Sequence, residues 1–231
     1  MKRVLITGSN RGLGLAFARE NLDRGDLVFA TCRRPDEAGD LRRLREQNLD
    51  RLTILRLDVT AEETIEAAAD AVADTVDGLD LLINNAGINP EEDLGSLDAE
   101  TMLHTFHVNA VGPMLVAQGH LDLLRAGDNA RIVNISSTSG SLAQKSTGGG
   151  YSYSSSKAAL NMLTRAIAFD LRSEGIVVMA IHPGWVRTDM GGASAPLSPV
   201  KSAQGVLDVA DDVTLNDTGS FFRHDGRAAP W

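Results

Sequence analysis

The stretch RVLITGSNRGLG, Arg3–Gly14, runs a short β-rich segment straight into three glycines at positions 8, 12 and 14. The residues that follow, GLGLAFARENLDRG, space their apolar side chains for a helix and close on a glycine. A strand feeding a helix through such a turn gathers unpaired backbone N–H groups and the positive helix end at one spot. That suits a pyrophosphate, and glycine lets it approach the backbone closely. The spacing is G-x-x-x-G-x-G rather than the usual G-x-G-x-x-G, and three glycines can also serve only a tight turn. The place of this turn, on the first strand of an alternating pattern, favours binding.

The alternation continues along the chain. LVFATC is followed by the helical pattern PDEAGDLRRLREQ, LTILRLDV by AEETIEAAADAVADTV, and LDLLIN by a loop and a long helix near Ala99 to Ala126. ARIVNIS, a helix around Tyr153 and IVVMAIHP come next, and the tail SFFRHDGRAAPW can add an edge strand. Near-continuous apolar strands alternating with helices predict an α/β fold: a doubly wound parallel sheet in three layers. The most loop-like stretch is GGASAPLSPVKS, Gly191–Ser202. It lies between strand and helix and reads as part of a substrate flap near 185–202 rather than a boundary, so residues 1–231 form one domain.

Composition narrows the function. The chain has 231 residues, 43% hydrophobic and 23% charged, and a formal net charge of −9 that disfavours nucleic acid. It shows no apolar run long enough for a membrane span, and the apolar part of MKRVLITGSN is too short for a signal peptide. A lone cysteine, Cys32, suits a reducing compartment, and the histidines form no metal-binding spacing. The expectation is a cytoplasmic protein with no metal, no nucleic acid and no membrane partner.

The end of the second strand bears on which dinucleotide binds. An NAD enzyme places Asp or Glu roughly 20 residues beyond the glycines, where it holds the ribose hydroxyls. Here the residues are Cys32, Arg33 and Arg34, with Arg11 as a third cation in the glycine turn. Guanidiniums can meet a 2′-phosphate, which favours NADP(H) and leaves NAD(H) possible. The alternative is a solvated basic face, with Asp36 and Glu37 merely opening the next helix.

The chain's only two tyrosines lie in YSYSSSKAALN, Tyr151–Asn161. On a helix Tyr153 stands one turn from Lys157, whereas Tyr151 is rotated roughly 120° away. An isolated pair of this kind is commonly just an exposed helical contact. Asn109 and Ser137 likewise have structural readings, as a core amide and a turn residue.

Taken together, these motifs resemble the short-chain dehydrogenase/reductase family over essentially the whole chain. TGSNRGLG matches its glycine turn, NNAG at Asn84–Gly87 its second signature, and Asn109, Ser137, Tyr153 and Lys157 its catalytic tetrad in order. HPGWVRTDM matches the segment that closes over the nicotinamide. Within the family the chain is most similar to the C-factor and sniffer-type carbonyl-reductase branch, although that branch commonly carries Arg where Ser154 stands.

The resemblance implies a Rossmann-type fold and an NADPH-preferring reductase of a small aldehyde or ketone, reversible as an alcohol oxidation. Tyr153 is the general acid/base, and Lys157 lowers its pKa while binding the nicotinamide ribose. Ser137 donates to the substrate oxygen, and Asn109 positions a water that relays protons to Lys157. Cofactor contacts carried over are Gly8, Ser9, Asn10, Arg11, Gly12, Leu13 and Gly14, then Arg33, Asp58 and Val59. Asn85, Ala86 and Gly87 lie along the ribose, with Tyr153 and Lys157, and Pro183, Gly184, Val186 and Thr188 at the carboxamide. Asp58 can also cap the helix beginning at Ala61, and Asn84 reads as structural. The loop Ser139–Gly150 and the flap shape the pocket, with Trp185, Ala193, Ala195, Pro196 and Leu197 as an apolar lining and Tyr151 as a wall. Two further expectations are a homodimer through the helices around Asn109 and Tyr153, and an alternative role as a dinucleotide-binding signalling protein with little turnover.

Overall fold

Seven strands make one parallel sheet in this computed structural model, which describes residues 1–231. They are β1 (Arg3–Ile6), β2 (Leu27–Cys32), β3 (Leu52–Arg56), β4 (Leu81–Asn84), β5 (Arg131–Ile135), β6 (Val177–His182) and β7 (Phe221–Arg223). Their order is β3-β2-β1-β4-β5-β6-β7, all parallel, with β1 paired to β2 on one side and β4 on the other. Eight α-helices cover the sheet: α1 (Gly12–Asp23), α2 (Gly39–Glu46), α3 (Glu62–Ala73), α4 (Ala99–Phe106), α5 (Gly112–Gly119), α6 (Leu121–Arg125), α7 (Tyr151–Leu171) and α8 (Pro199–Asp212). This is the Rossmann-type doubly wound arrangement.

The strand sequences explain the three layers. Successive side chains point to opposite faces, and both faces are covered, so most strand positions are apolar, with buried Thr31, Asn84 and Asn134 among the exceptions. Val4 and Ile6 enter the core beneath α1, α2 and α8, whereas Leu5 between them enters the core beneath α3, α5 and α7. Val177, Met179 and Ile181 of β6 join the first core and Val178 the second. The tail forms β7 at the sheet edge, and its terminal Trp231 stacks on Phe221 with ring centres 5.3 Å apart.

The long helix expected from Ala99 to Ala126 is not continuous. It opens into a wide turn at His107–Val111 and breaks again at the fully buried His120. Pro113 has no N–H to give the Asn109 carbonyl four residues earlier, so the ordinary α bond cannot form there. The PDEAGDLRRLREQ pattern also divides, into a single turn at Pro35–Glu37 and then α2.

The strand order reverses between β1 and β4, and a crevice opens at their C-terminal ends, where doubly wound folds take ligands. Gly8 and Asn85 meet at that point.

Candidate active site

The crevice is a cavity of about 610 Å³ that runs from Arg33 and Asp58 at one end to Ser137, Tyr153 and Trp185 at the other. Its floor is the glycine turn. Gly8 has φ +69°, and a Cβ on Gly14 would sit 2.2 Å from the Gly8 carbonyl oxygen, so the turn and the first helical residues close only with glycine at these positions. Thr7 Oγ1 accepts the Asn85 and Ala86 amides, while the Asn85 side chain donates to the Thr7 and Gly8 carbonyls. The two signatures thereby brace each other. No side chain caps α1, and the amides of Asn10 through Gly14 donate to no protein acceptor. Five unpaired donors at a helix N-terminus suit a pyrophosphate.

At the adenosine end, Cys32 stands where a carboxylate would hold ribose hydroxyls, and Arg33 lines the cavity without an ion-pair partner. Arg34 pairs with Glu37 at 3.1 Å and does not line it. Arg11 reaches the other way, to Asp189 at 2.7 Å. One of the three expected cations is therefore left free for a phosphate. Asp58 accepts the amide and hydroxyl of Thr60 and is not the cap of α3, whose N-cap is Ala61. Burial opposes its ionisation, but those hydrogen bonds with Arg33 and His104 nearby hold its pKa below the usual value. The donors present thus fit a phosphorylated dinucleotide.

At the opposite end α7 presents Tyr153 and Lys157 on one face. Lys157 Nζ lies 5.8 Å from the Tyr153 ring centre and donates to the Ile135 carbonyl at 2.8 Å. Ser137 follows β5 and its hydroxyl accepts the Ser139 amide at 3.1 Å. The lysine was expected to lower the tyrosine pKa, and the balance runs the other way. Burial raises the Tyr153 pKa and outweighs the neighbouring Ser137 hydroxyl, which lowers it. Lys157, itself 4% exposed, is pushed down to about 8 by burial.

Asn109 does not line the cavity. Its side chain accepts the Ile88 amide, donates to the Ile88 carbonyl, both at 2.8 Å, and donates to Ser156 Oγ at 3.0 Å. Both side-chain N–H groups are therefore taken, and only one lone pair of Oδ1 is left to hold a water. Ser9 is also turned away, with its hydroxyl on Ile6 and its amide on Thr31. The remaining expected cofactor contacts line the cavity: Gly8, Asn10, Arg11, Gly12, Leu13, Gly14, Arg33, Asp58, Val59, Asn85, Ala86, Gly87, Pro183, Gly184, Val186 and Thr188. Trp185 lines it as well, but Tyr151, Ala193, Ala195, Pro196 and Leu197 do not. Asn84 ties its strand to β5 through Asn134, at 2.9 Å.

Sequence reasoning missed several lining residues, among them Asn89, His104 and Thr138, and gave no individual role to His182 and Met190, the two ends of HPGWVRTDM. His182 ends β6, and burial, with Arg223 and His224 close by, lowers its pKa to about 4.

The model of the short chain dehydrogenase family matches residues 2–196. The chain is similar to the C-signal of Myxococcus xanthus, 45% identical over 154 residues that make up 66% of this chain and 93% of that protein. Its structure is similar to the NADPH-bound carbonyl reductase from chicken fatty liver, with 37% identity, a TM-score of 0.95 and coverage of 100% and 99%. It is similar also to the carbonyl reductase Sniffer of D. melanogaster, with 34% identity, a TM-score of 0.95 and full coverage of both chains. No helix is long and apolar enough to cross a membrane.

Proposed function

Because the chain belongs to the short-chain dehydrogenase family, an oxidoreductase family, we propose that it reduces a small aldehyde or ketone with NADPH, reversibly. The observation that carries this reading is the convergence of Ser137, Tyr153 and Lys157 on the same cavity as the five unpaired amides of the glycine turn.

When bound, NADPH supplies the hydride. Tyr153, kept protonated at neutral pH, gives its proton to the carbonyl oxygen as the alcohol forms. Ser137 donates a hydrogen bond to the same oxygen, stabilising charge that develops there. Lys157 stands one turn from Tyr153 and holds the nicotinamide ribose while it favours the phenolate that proton transfer leaves. Asn109 contributes through its backbone: its side chain is committed to Ile88 and Ser156, and the Pro113 break leaves its carbonyl as the acceptor for a relay water. Arg33 holds the 2′-phosphate, and residues 185–202 act as the substrate flap. Exposed Leu103, Val111, Met162 and Phe169 on the helices around Asn109 and Tyr153 supply apolar surface for a homodimer.

Oxidation of NADPH and NADH with a panel of aldehydes, ketones and diketones, on the wild type and Tyr153→Phe, tests the reading. Turnover with NADPH that collapses in the variant while cofactor binding persists supports it. The similarity to the C-signal favours a second reading, a dinucleotide-binding signalling protein with little turnover. Cofactor binding without turnover on any carbonyl, in either protein, would favour that alternative.

A further inference from the structure

The loop between β4 and α4 leaves the sheet past Ile88 and Asn89, which line the cavity, and then runs exposed to Asp98. Across residues 89–97 one side chain is hydrogen-bonded to a distant part of the chain. Glu92 Oε2 accepts the Ser152 amide at 2.8 Å, and Oε1 accepts the Ser152 hydroxyl. The helix that receives it needs such a partner. α7 starts after Gly150, which sits at φ +61° and has no side chain to cap the first turn. An N-terminal turn leaves its first amides without intrahelical acceptors, and a carboxylate there also meets the positive helix end. Glu92 provides this cap from 60 residues away.

The serine it grips directly precedes Tyr153. One turn further on, Ser156 is held by Asn109, whose amide also grips Ile88 at the start of the same loop. Ser152 and Ser156 stand four apart on one face of α7, beside the face that carries Tyr153 and Lys157. The loop is therefore tied to the helix at two successive turns, at its root through Asn109 of the His107–Val111 turn, which bridges Ile88 and Ser156, and near its middle through Glu92.

We propose that Glu92 is a positioning residue that clamps the first turn of α7 to the β4–α4 loop, holding Tyr153 and the Ile88–Asn89 wall of the substrate pocket as one unit. Releasing it frees the tyrosine's turn and the pocket wall, while Ser156 and Lys157 stay anchored by Asn109 and Ile135. The kinetic part of this proposal rests on the reductase reading, and the structural part does not.

The test compares wild type, Glu92→Ala, Glu92→Gln and Ser152→Ala by steady-state kinetics with NADPH and a carbonyl the wild type reduces. Amide hydrogen exchange over 89–97 and 151–155 is followed in parallel. Glu92→Ala is expected to speed exchange in both segments and to lower kcat/KM for the carbonyl about tenfold, with KM for NADPH within about twofold of wild type. Glu92→Gln keeps one accepting oxygen and falls between; it carries the comparison if the alanine variant does not fold. Unchanged exchange overturns the clamp. Faster exchange with unchanged kcat/KM reduces Glu92 to a helix cap and overturns the positioning role. A wild type without turnover would sink the reductase reading on its own, and exchange would still decide the clamp, upheld if faster in Glu92→Ala and overturned if not.

Discussion

Arg11 of the glycine turn and Asp189 of the segment after β6 face each other across the mouth of the cleft, Nη1 to Oδ2 2.7 Å apart. Both side chains are largely exposed, so the pair contributes little to stability. Its consequence is for cofactor choice, because it occupies one cation that could meet a phosphate. Arg33 has no such partner. Replacing Arg33 by Ala is therefore expected to raise KM for NADPH roughly 10- to 100-fold and leave KM for NADH nearly unchanged. Arg11→Ala should have a smaller effect. Equal effects, or an NADH penalty as large as the NADPH penalty, would refute the assignment of Arg33 to the 2′-phosphate.

The pH profile of alcohol oxidation should report Ser137. Burial raises the Tyr153 pKa, and the neighbouring Ser137 hydroxyl opposes that rise. Oxidation requires the phenolate, so it gains as pH rises through this pKa. Ser137→Ala removes the lowering contact, and the acid limb of log kcat against pH moves to higher pH. A limb that stays in place or moves down would show that Ser137 does not tune the tyrosine.

The central strands were readable because they are buried on two faces and so appear as nearly continuous apolar runs, as in LVFATC and IVVMAIH. The glycine turn was readable because Gly8 and Gly14 occupy positions where a Cβ strikes the Gly8–Ala86 region or the Gly8 carbonyl. Other features depend on contacts between residues far apart in the chain. The interruption near Asn109 comes from one missing proline donor within an otherwise helical apolar pattern. Ser9 belongs to the motif, yet its hydroxyl finds Ile6 inside the fold. Spacing reveals the lysine beside Tyr153 but not the desolvation of both groups, which raises the Tyr153 pKa and lowers that of Lys157. Glu92 carries no local signal at all, since its partner lies 60 residues away.

Acid should weaken the fold through its buried histidines. His182 has a folded pKa of about 4 and His120 is likewise lowered by burial, against about 6.5 when unfolded. Below 6.5 the unfolded chain takes up protons that the folded one refuses. Stability is thus fully present above pH 6.5 and falls as pH drops toward the folded values. For His182 the loss by pH 5 is on the order of 1–2 kcal/mol. Denaturant unfolding at pH 7.5 and pH 5 measures it, and His182→Asn should flatten the dependence; an unaltered slope would remove His182 as its source.

Gly14→Ala should damage both fold and cleft. The added methyl would lie 2.2 Å from the Gly8 carbonyl and 2.6 Å from Asn85 Nδ2, so backbone must move. Overpacking of this kind costs about 1–3 kcal/mol, and here it also displaces the amides of the glycine turn. Calorimetry should show a lower Tm and NADPH titration a weaker Kd. A variant with wild-type Tm and Kd would mean that the turn relaxes without cost.

Behind the cleft, a buried polar ladder joins the sheet to α7. Asn84 and Asn134 are register partners on β4 and β5, and Asn84 Nδ2 donates to Asn134 Oδ1 at 2.9 Å. Asn134 Nδ2 donates to Thr164 Oγ1 at 2.9 Å, and that hydroxyl donates to the Leu160 carbonyl at 2.7 Å. Every member is buried, so removing one leaves its neighbours unpaired out of water. Thr164→Val keeps the shape but orphans one Asn134 donor, and should cost about 1–3 kcal/mol in denaturant unfolding. Asn134→Leu orphans groups on both sides and should cost more. Because Thr164→Val and Asn134→Leu break the same bond, the double variant should lose clearly less than the sum of the two. Simple additivity would show that the ladder acts as separate contacts and does not couple the sheet to the helix that carries Tyr153.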